Sequence, residues 1–258
     1  MQTGAITSYI DLAQLTLYAF WIFFAGLILY LRREDRREGY PLVTTGRGRR
    51  PEEKFPVLAR PKLFRMPDGS ILTAPRKEAP EPFKGVRTAA WEGAPIEPVG
   101  NPMLSGVGPA AYAMRSDKPE MLFDGSAPVI SPLRLIPAYG LDREDPHVIG
   151  MTVVGADGVA GGVVVDVWVD RVESLIRYLE VALPATAGGR HVLLPMTLAQ
   201  VDRSRGKVKA VSVMGRHFAD APATAHPDQV SLREEDQITA YYASGQLYAE
   251  PSRMGPIL

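Results

Sequence analysis

Residues 12–31 carry no charged side chain, and only Gln14 and Thr16 interrupt their apolar character. As a helix these twenty residues span about 30 Å, the thickness of a bilayer's hydrocarbon core. Arg32, Arg33, Arg36 and Arg37 follow at once, whereas no Lys or Arg precedes the run. The positive-inside rule then puts residues 1–11 outside and everything from Arg32 onward in the cytoplasm. Tyr9 and Tyr30 fall near the two interfaces, and Phe20, Trp21, Phe23 and Phe24 fall mid-span, where they need apolar neighbours. A signal peptide fits poorly, because the n-region has no basic residue and the run ends in Leu29-Tyr30-Leu31-Arg32 rather than a small-residue cleavage site. A buried helix of a soluble protein is the remaining alternative.

Behind the span the pattern changes twice. Residues 32–138 read as an extended, turn-rich segment punctuated by proline from Pro41 to Pro109. Proline lacks an N–H and fixes φ, so neither helices nor central strands run through such a density. Short apolar pieces survive at 55–58, 63–66 and 70–73, and the last two flank Pro67-Asp68-Gly69, a hairpin turn signal. The segment is either a linker or a layer folded over a partner's surface. Its apolar content favours the layer.

Residues 139–258 read as a strand-rich domain with one helix. Runs at 148–154, 161–169, 178–183, 191–194 and 207–213 predict four or five short strands, joined by Gly188-Gly189 and Ser204-Arg205-Gly206. That spacing predicts a small curled antiparallel sheet or barrel. Gly155, Gly158, Gly161 and Gly162 resemble a phosphate loop, but two strands flank them and no helix follows. After His226-Pro227 a helix begins, capped by Asp228 or Ser231, with Glu234 in capping-box position and Ile238, Tyr241 and Tyr242 on its apolar face. Ser244-Gly245 is its expected end.

Composition narrows the function. Lys plus Arg and Asp plus Glu both number 29, so nothing favours nucleic acid as a partner. Cysteine is absent, which removes disulfides and thiolate chemistry. His147, His191, His217 and His226 form no metal-ligand pair and read as surface or turn residues, and no catalytic constellation appears. One polar cluster stands out: Asp166, Asp170, Arg171, Glu173, Arg177 and Glu180, the last members at roughly helical or turn spacing. Glu234, Glu235 and Asp236 form a second acidic patch. Both patches are either solvated faces or carboxylates that carry protons at a protein boundary, where burial and neighbouring charge tune each pKa.

The run Arg32-Arg33-Glu34-Asp35-Arg36-Arg37-Glu38-Gly39-Tyr40-Pro41-Leu42 after the span resembles the start of the H subunit of the purple-bacterial photosynthetic reaction centre. The resemblance continues through Pro61-Lys62-Leu63-Phe64, Gly100-Asn101-Pro102, Gly106-Val107-Gly108-Pro109-Ala110 and Val165-Asp166-Val167-Trp168-Val169-Asp170-Arg171. It resumes at Arg177-Tyr178-Leu179-Glu180-Val181, Leu232-Arg233-Glu234-Glu235-Asp236 and Tyr241-Tyr242-Ala243-Ser244-Gly245.

This resemblance implies one transmembrane helix, a mainly β cytoplasmic part containing a small antiparallel PRC-type barrel, and a C-terminal helix. It also implies a single-pass protein of the bacterial inner (intracytoplasmic) membrane, N-terminus periplasmic, capping the L and M subunits. A cytochrome subunit and a light-harvesting ring belong to the wider complex in some members. Bacteriochlorophyll, bacteriopheophytin, quinones and non-haem iron would sit in the partner subunits, with none bound by this non-catalytic chain. Its implied work is to shield the quinone side and assist proton delivery to the secondary quinone.

Residue by residue, Glu173 matches the family carboxylate nearest that quinone, with Asp170 and Arg177 as its electrostatic company. Asp124 matches an acidic position near the cytoplasmic proton inlet. Gly125-Ser126-Ala127-Pro128 follow it where some members carry histidines, so carboxylates and water, rather than histidine, would admit protons here. Glu234, Glu235 and Asp236 are further proton-path candidates that capping and ion pairing explain equally well. Arg32, Arg33 and Arg36 would contact anionic lipid such as cardiolipin, or carboxylates of the partners. The rival readings are a membrane-tethered barrel serving assembly or interaction, and a single-pass enzyme.

Overall fold

The computed structural model describes residues 11–35, 61–74, 84–91 and 93–254. The expected outer terminus 1–10, Arg36 and the apolar piece 55–58 lie outside the described residues. The chain divides into two units, one of residues 1–81 with 91–93 and one of residues 82–90 with 94–258.

In the first unit, α1 (Leu12–Asp35) is a 24-residue helix with no buried residue, long and apolar enough to cross a membrane. The Asp11 carboxylate caps it by accepting from the Gln14 N–H at 2.7 Å. The helix runs one turn past the apolar stretch, because residues 32–35 contain no helix breaker and Arg32 and Arg33 suit the negative end of its dipole. The predicted hairpin follows as β1 (Lys62–Arg65) and β2 (Ile71–Ala74), antiparallel, with Gly69 at φ 82° in the turn. Asp68 accepts from both the N–H and the hydroxyl of Ser70, which fixes that turn.

The second unit opens with a small antiparallel pair, β3 (Gly85–Arg87) and β4 (Ile96–Pro98). Then come two 3-10 turns at Pro102–Leu104 and Gly108–Ala110. Seven strands form its main sheet: β5 (Ile130–Pro132), β6 (Thr152–Val154), β7 (Ala160–Asp170), β8 (Leu175–Ala182), β9 (His191–Pro195), β10 (Ala199–Asp202) and β11 (Lys207–Ala210). Their order is β10-β11-β6-β7-β8-β9, with β5 also on β7. All pairs are antiparallel except β11 with β6, so the sheet is mixed where an antiparallel one was expected. Only the end of the 148–154 run is strand, because residues 148–151 turn back onto β7 through the Gly150 N–H and the Met151 carbonyl. β5 was not anticipated, and it joins this sheet from before residue 139.

β7 curls around the core. Its register with β8 shifts at Val164/Asp166 and again at Trp168/Val169, and such bulges bend a strand and raise its twist. Val153, Val164, Val167, Leu179, Val181, Val192, Leu194 and Val208 fill the interior. α2 (Leu232–Tyr248) closes it with Ile238, Tyr241 and Tyr242, the two tyrosine rings meeting edge to face at 5.5 Å. Ser231, not Asp228, is the cap: its hydroxyl accepts from Glu234 N–H while the Glu234 carboxylate accepts from Ser231 N–H. Two further free N–H groups of the first turn donate to the carbonyls of Lys118 and Ser116.

The expected stop at Ser244-Gly245 does not occur. A side chain at Gly245 would meet Val213 Cγ1 at 2.7 Å and Ser212 O at 2.8 Å. This glycine lets the helix approach the sheet, and the last turn continues to Tyr248.

Candidate functional site

The polar residues singled out in the sequence separate into three places. The first is a hub on the sheet. Asp166 and Glu180 are direct cross-strand partners on β7 and β8, both buried. Like charges so placed repel. Arg134, in the 3-10 turn Leu133–Leu135, resolves the conflict. Its Nη1 donates to Asp166 Oδ2 at 2.8 Å and Glu180 Oε2 at 2.6 Å, and its Nη2 to the Pro227 carbonyl and Asp228 Oδ1, both at 2.7 Å. Glu180 also accepts from Trp168 Nε1–H at 2.9 Å and lies 2.6 Å from His191 Nδ1. Burial pushes the Glu180 carboxyl up, yet the hydrogen bonds from Trp168, Arg134 and His191 outweigh it and hold the pKa below the usual carboxylate range. An open cleft of about 660 Å³ borders this hub.

The second place is the β7–β8 turn. Asp170 is buried, and its Oδ1 accepts from the N–H groups of Val172 and Glu173, both at 3.0 Å. The Glu173 carboxylate itself is exposed, at the apex. Ser174 beside it is, among the described residues, the one non-glycine with positive φ, 56°. The Arg171 N–H bonds the Val129 carbonyl and the Val129 N–H that of Glu120, which sets the 122–125 turn alongside. In that turn Asp124 accepts from the N–H and hydroxyl of Ser126. Those bonds, with a smaller contribution from the Arg171 charge, lower its pKa. Phe123, Val172 and Leu175, on the same two turns, are exposed, Phe123 fully.

The third place lies between α2 and residues 109–115. Arg177, expected beside Glu173, instead reaches Glu235, Nη2 to Oε2 3.8 Å. It sits on strand β8 rather than at helical spacing. Tyr178 donates its hydroxyl to the same Glu235 oxygen at 3.2 Å. Burial raises the Glu235 pKa, offset only in part by Tyr178, Arg177 and Arg115. Its neighbours do other work: Glu234 closes the capping box and also accepts from Ala225 N–H, and Asp236 pairs with Arg115 at 3.4 Å.

Arg134 and Tyr178 carry these arrangements, yet neither was a candidate in the sequence. The histidines also divide. His147 and His226 are exposed as expected, His191 joins the hub, and half-buried His217 accepts from Met214 N–H. Arg32 and Arg33 lie exposed in the last turn of α1. Among the described residues no three His, Cys, Asp or Glu side chains stand together to hold a metal ion.

Two family profiles match the chain. Residues 4–135 match the photosynthetic reaction centre H-chain N-terminal region, and residues 143–214 match the PRC-barrel domain.

Proposed function

The chain belongs to the photosynthetic reaction-centre H-chain family, a non-catalytic, single-pass membrane chain that carries a PRC barrel, and from that premise we propose that it caps the quinone side of an L–M core. In this reading α1 stands beside the partners' helices with its N-terminus periplasmic, and the bulk of the chain lies cytoplasmic. Light-driven electrons pass through the partners, whose bacteriochlorophyll, bacteriopheophytin, quinones and iron do the redox chemistry. This chain excludes solvent and helps bring protons to the secondary quinone. Arg32 and Arg33 take lipid headgroups such as cardiolipin, or partner carboxylates, where the helix leaves the membrane. In some members of the family a bound cytochrome subunit and a light-harvesting ring belong to the wider complex.

The observation that carries this reading is the rim of the β7–β8 turn. Glu173 stands exposed between Val172 and Leu175, 68% and 53% exposed, on a turn braced by Asp170 and strained at Ser174. A carboxylate flanked along its turn by exposed apolar residues is what a partner surface would bury together with a proton-carrying group. Asp124 on the adjacent turn would take protons from the cytoplasm and pass them by water to Glu173. Asp170, bound to two N–H groups, would set the local potential, and Arg177 would act at longer range. The hairpin β1–β2 supports the capping part: Leu63 and Ile71 are exposed on a two-stranded sheet, which needs a partner to be stable.

Gentle extraction from the native membrane, pull-down of this chain and absorption spectra of the eluate test the assembly. Near-infrared bacteriochlorophyll bands with two further membrane subunits are expected. A colourless eluate would sink the reading in favour of a membrane-tethered assembly or interaction barrel. Flash-induced proton uptake then tests the site, where Glu173→Gln should slow the step by on the order of 10-fold or more.

A further inference from the structure

The four buried carboxylates among the described residues of the second unit are not equivalent. Asp166 and Glu180 touch the Arg134 guanidinium at 2.8 and 2.6 Å. Asp170 accepts two backbone N–H bonds at 3.0 Å. Glu235 alone of the four has neither: its nearest cation, Arg177, is 3.8 Å away, and its one side-chain hydrogen-bond donor is a neutral phenol. A buried carboxylate so weakly compensated gains by binding a proton. Burial is also incomplete in one direction, because Glu235 lines an open cavity of about 430 Å³ with Arg115, Arg177, Tyr178, Asp236 and Thr239.

We propose that Glu235 is a proton-binding site of this chain, taking a proton from water in the cavity between α2 and residues 109–115 and returning it there. The balance is simple: hydronium and carboxylate become water and carboxylic acid, with no change of oxidation state. Tyr178 suits both forms. Its hydroxyl donates to the carboxylate, and when Glu235 is protonated it can accept from the acid while donating to Thr239, its other partner. The charges facing Glu235 are Arg177 from β8, Arg115 from the segment before it, Asp236 from its own helix and, further off, Glu120. The site's role as a reservoir feeding the turn at Glu173 rests on the proton-delivery reading above. Its proton binding does not.

Infrared pH titration of the full chain in detergent, with labelled glutamate, reads the site directly. A protonated-carboxyl band should persist above the ordinary glutamate range, vanish in Glu235→Gln, and titrate at still higher pH in Tyr178→Phe, which removes a donor to the charged form. A band that survives Glu235→Gln overturns the proposal. Should that variant not fold, a band unmoved by Tyr178→Phe does the same. Proton uptake in the assembled complex separates the two readings. If Glu173→Gln leaves uptake unchanged while Glu235 titrates as expected, the delivery reading fails and the proton-binding site stands. If Glu173→Gln slows uptake, Glu235→Gln should diminish the protons taken up across the Glu235 titration range, and unchanged uptake there overturns the reservoir role.

Discussion

Asp166 and Glu180 face each other across β7 and β8, so the charge on Arg134 is what makes their register tolerable. Removing Glu180 leaves Arg134 paired with Asp166 and Asp228 but takes away its shortest ion pair, at 2.6 Å, and opens a hole in a buried network. Glu180→Ala should therefore cost about 3 kcal/mol in urea unfolding, since Trp168 Nε1–H loses its acceptor as well. The pH dependence separates Glu180 from Glu235. The Glu180 pKa is lowered in the folded chain, so its contribution is present above its unfolded pKa and fades as pH falls through the lowered value. Wild type should lose stability on acidification over a range in which Glu180→Gln does not. The Glu235 pKa is raised, so the folded state is favoured below its unfolded value and loses that advantage as pH rises through the folded one. Glu235→Gln should flatten that loss and match or exceed wild type at neutral pH. Urea midpoints measured across pH check both signs, and parallel profiles for the two variants would contradict the assignments.

Along α2 the two ends are held by different physics, and substitutions should report it. Ser231→Ala removes the acceptor for the Glu234 N–H and should cost about 1 kcal/mol. Gly245→Ala would raise helix propensity in isolation, yet its methyl meets Val213 and Ser212 O, so a net cost of about 1–3 kcal/mol is expected from denaturant midpoints. The same contrast explains what could be read from the chain. Ser231, the Pro67-Asp68-Gly69 turn and the long valine strand were legible because a cap, a turn and an alternation are local patterns. Gly245 was misread because Ser-Gly after an apolar face looks like a stop, and only the packed sheet shows it to be a point of contact. β5 and β10 are short, and the parallel pairing of β11 with β6 joins strands far apart in the chain, which no local signal encodes. Arg134 was invisible for a related reason: its partners lie 32, 46 and 94 residues away. Arg177 and Glu180 looked like helix neighbours because i and i+3 spacing says nothing of a strand that puts them on opposite faces.

At the scale of the molecule, one helix with no buried residue stands between residues 1–11 and more than two hundred residues, and the sense of its crossing decides everything proposed for the carboxylates. Proton uptake by Asp124 and Glu173 requires the bulk to share the compartment from which quinone protons are drawn. Charge asymmetry argues for it, since the arginines follow the span and none precedes it, although Glu34 and Asp35 contribute little to such orientation. The absence of cysteine permits a direct measurement, because any introduced thiol is the chain's only one. Thr3→Cys lies before the span, and Ser70→Cys lies on the exposed β1–β2 turn. With a membrane-impermeant maleimide, inverted vesicles exposing the cytoplasmic face should label position 70 and spare position 3, and vesicles of the opposite sense should reverse the result. Solubilising with detergent should then label position 3 in both preparations, which guards against a buried thiol being mistaken for a hidden compartment. Labelling of position 70 from the outer face would put the turn at Glu173 on the wrong side of the membrane, and the proton-delivery reading would fall with it.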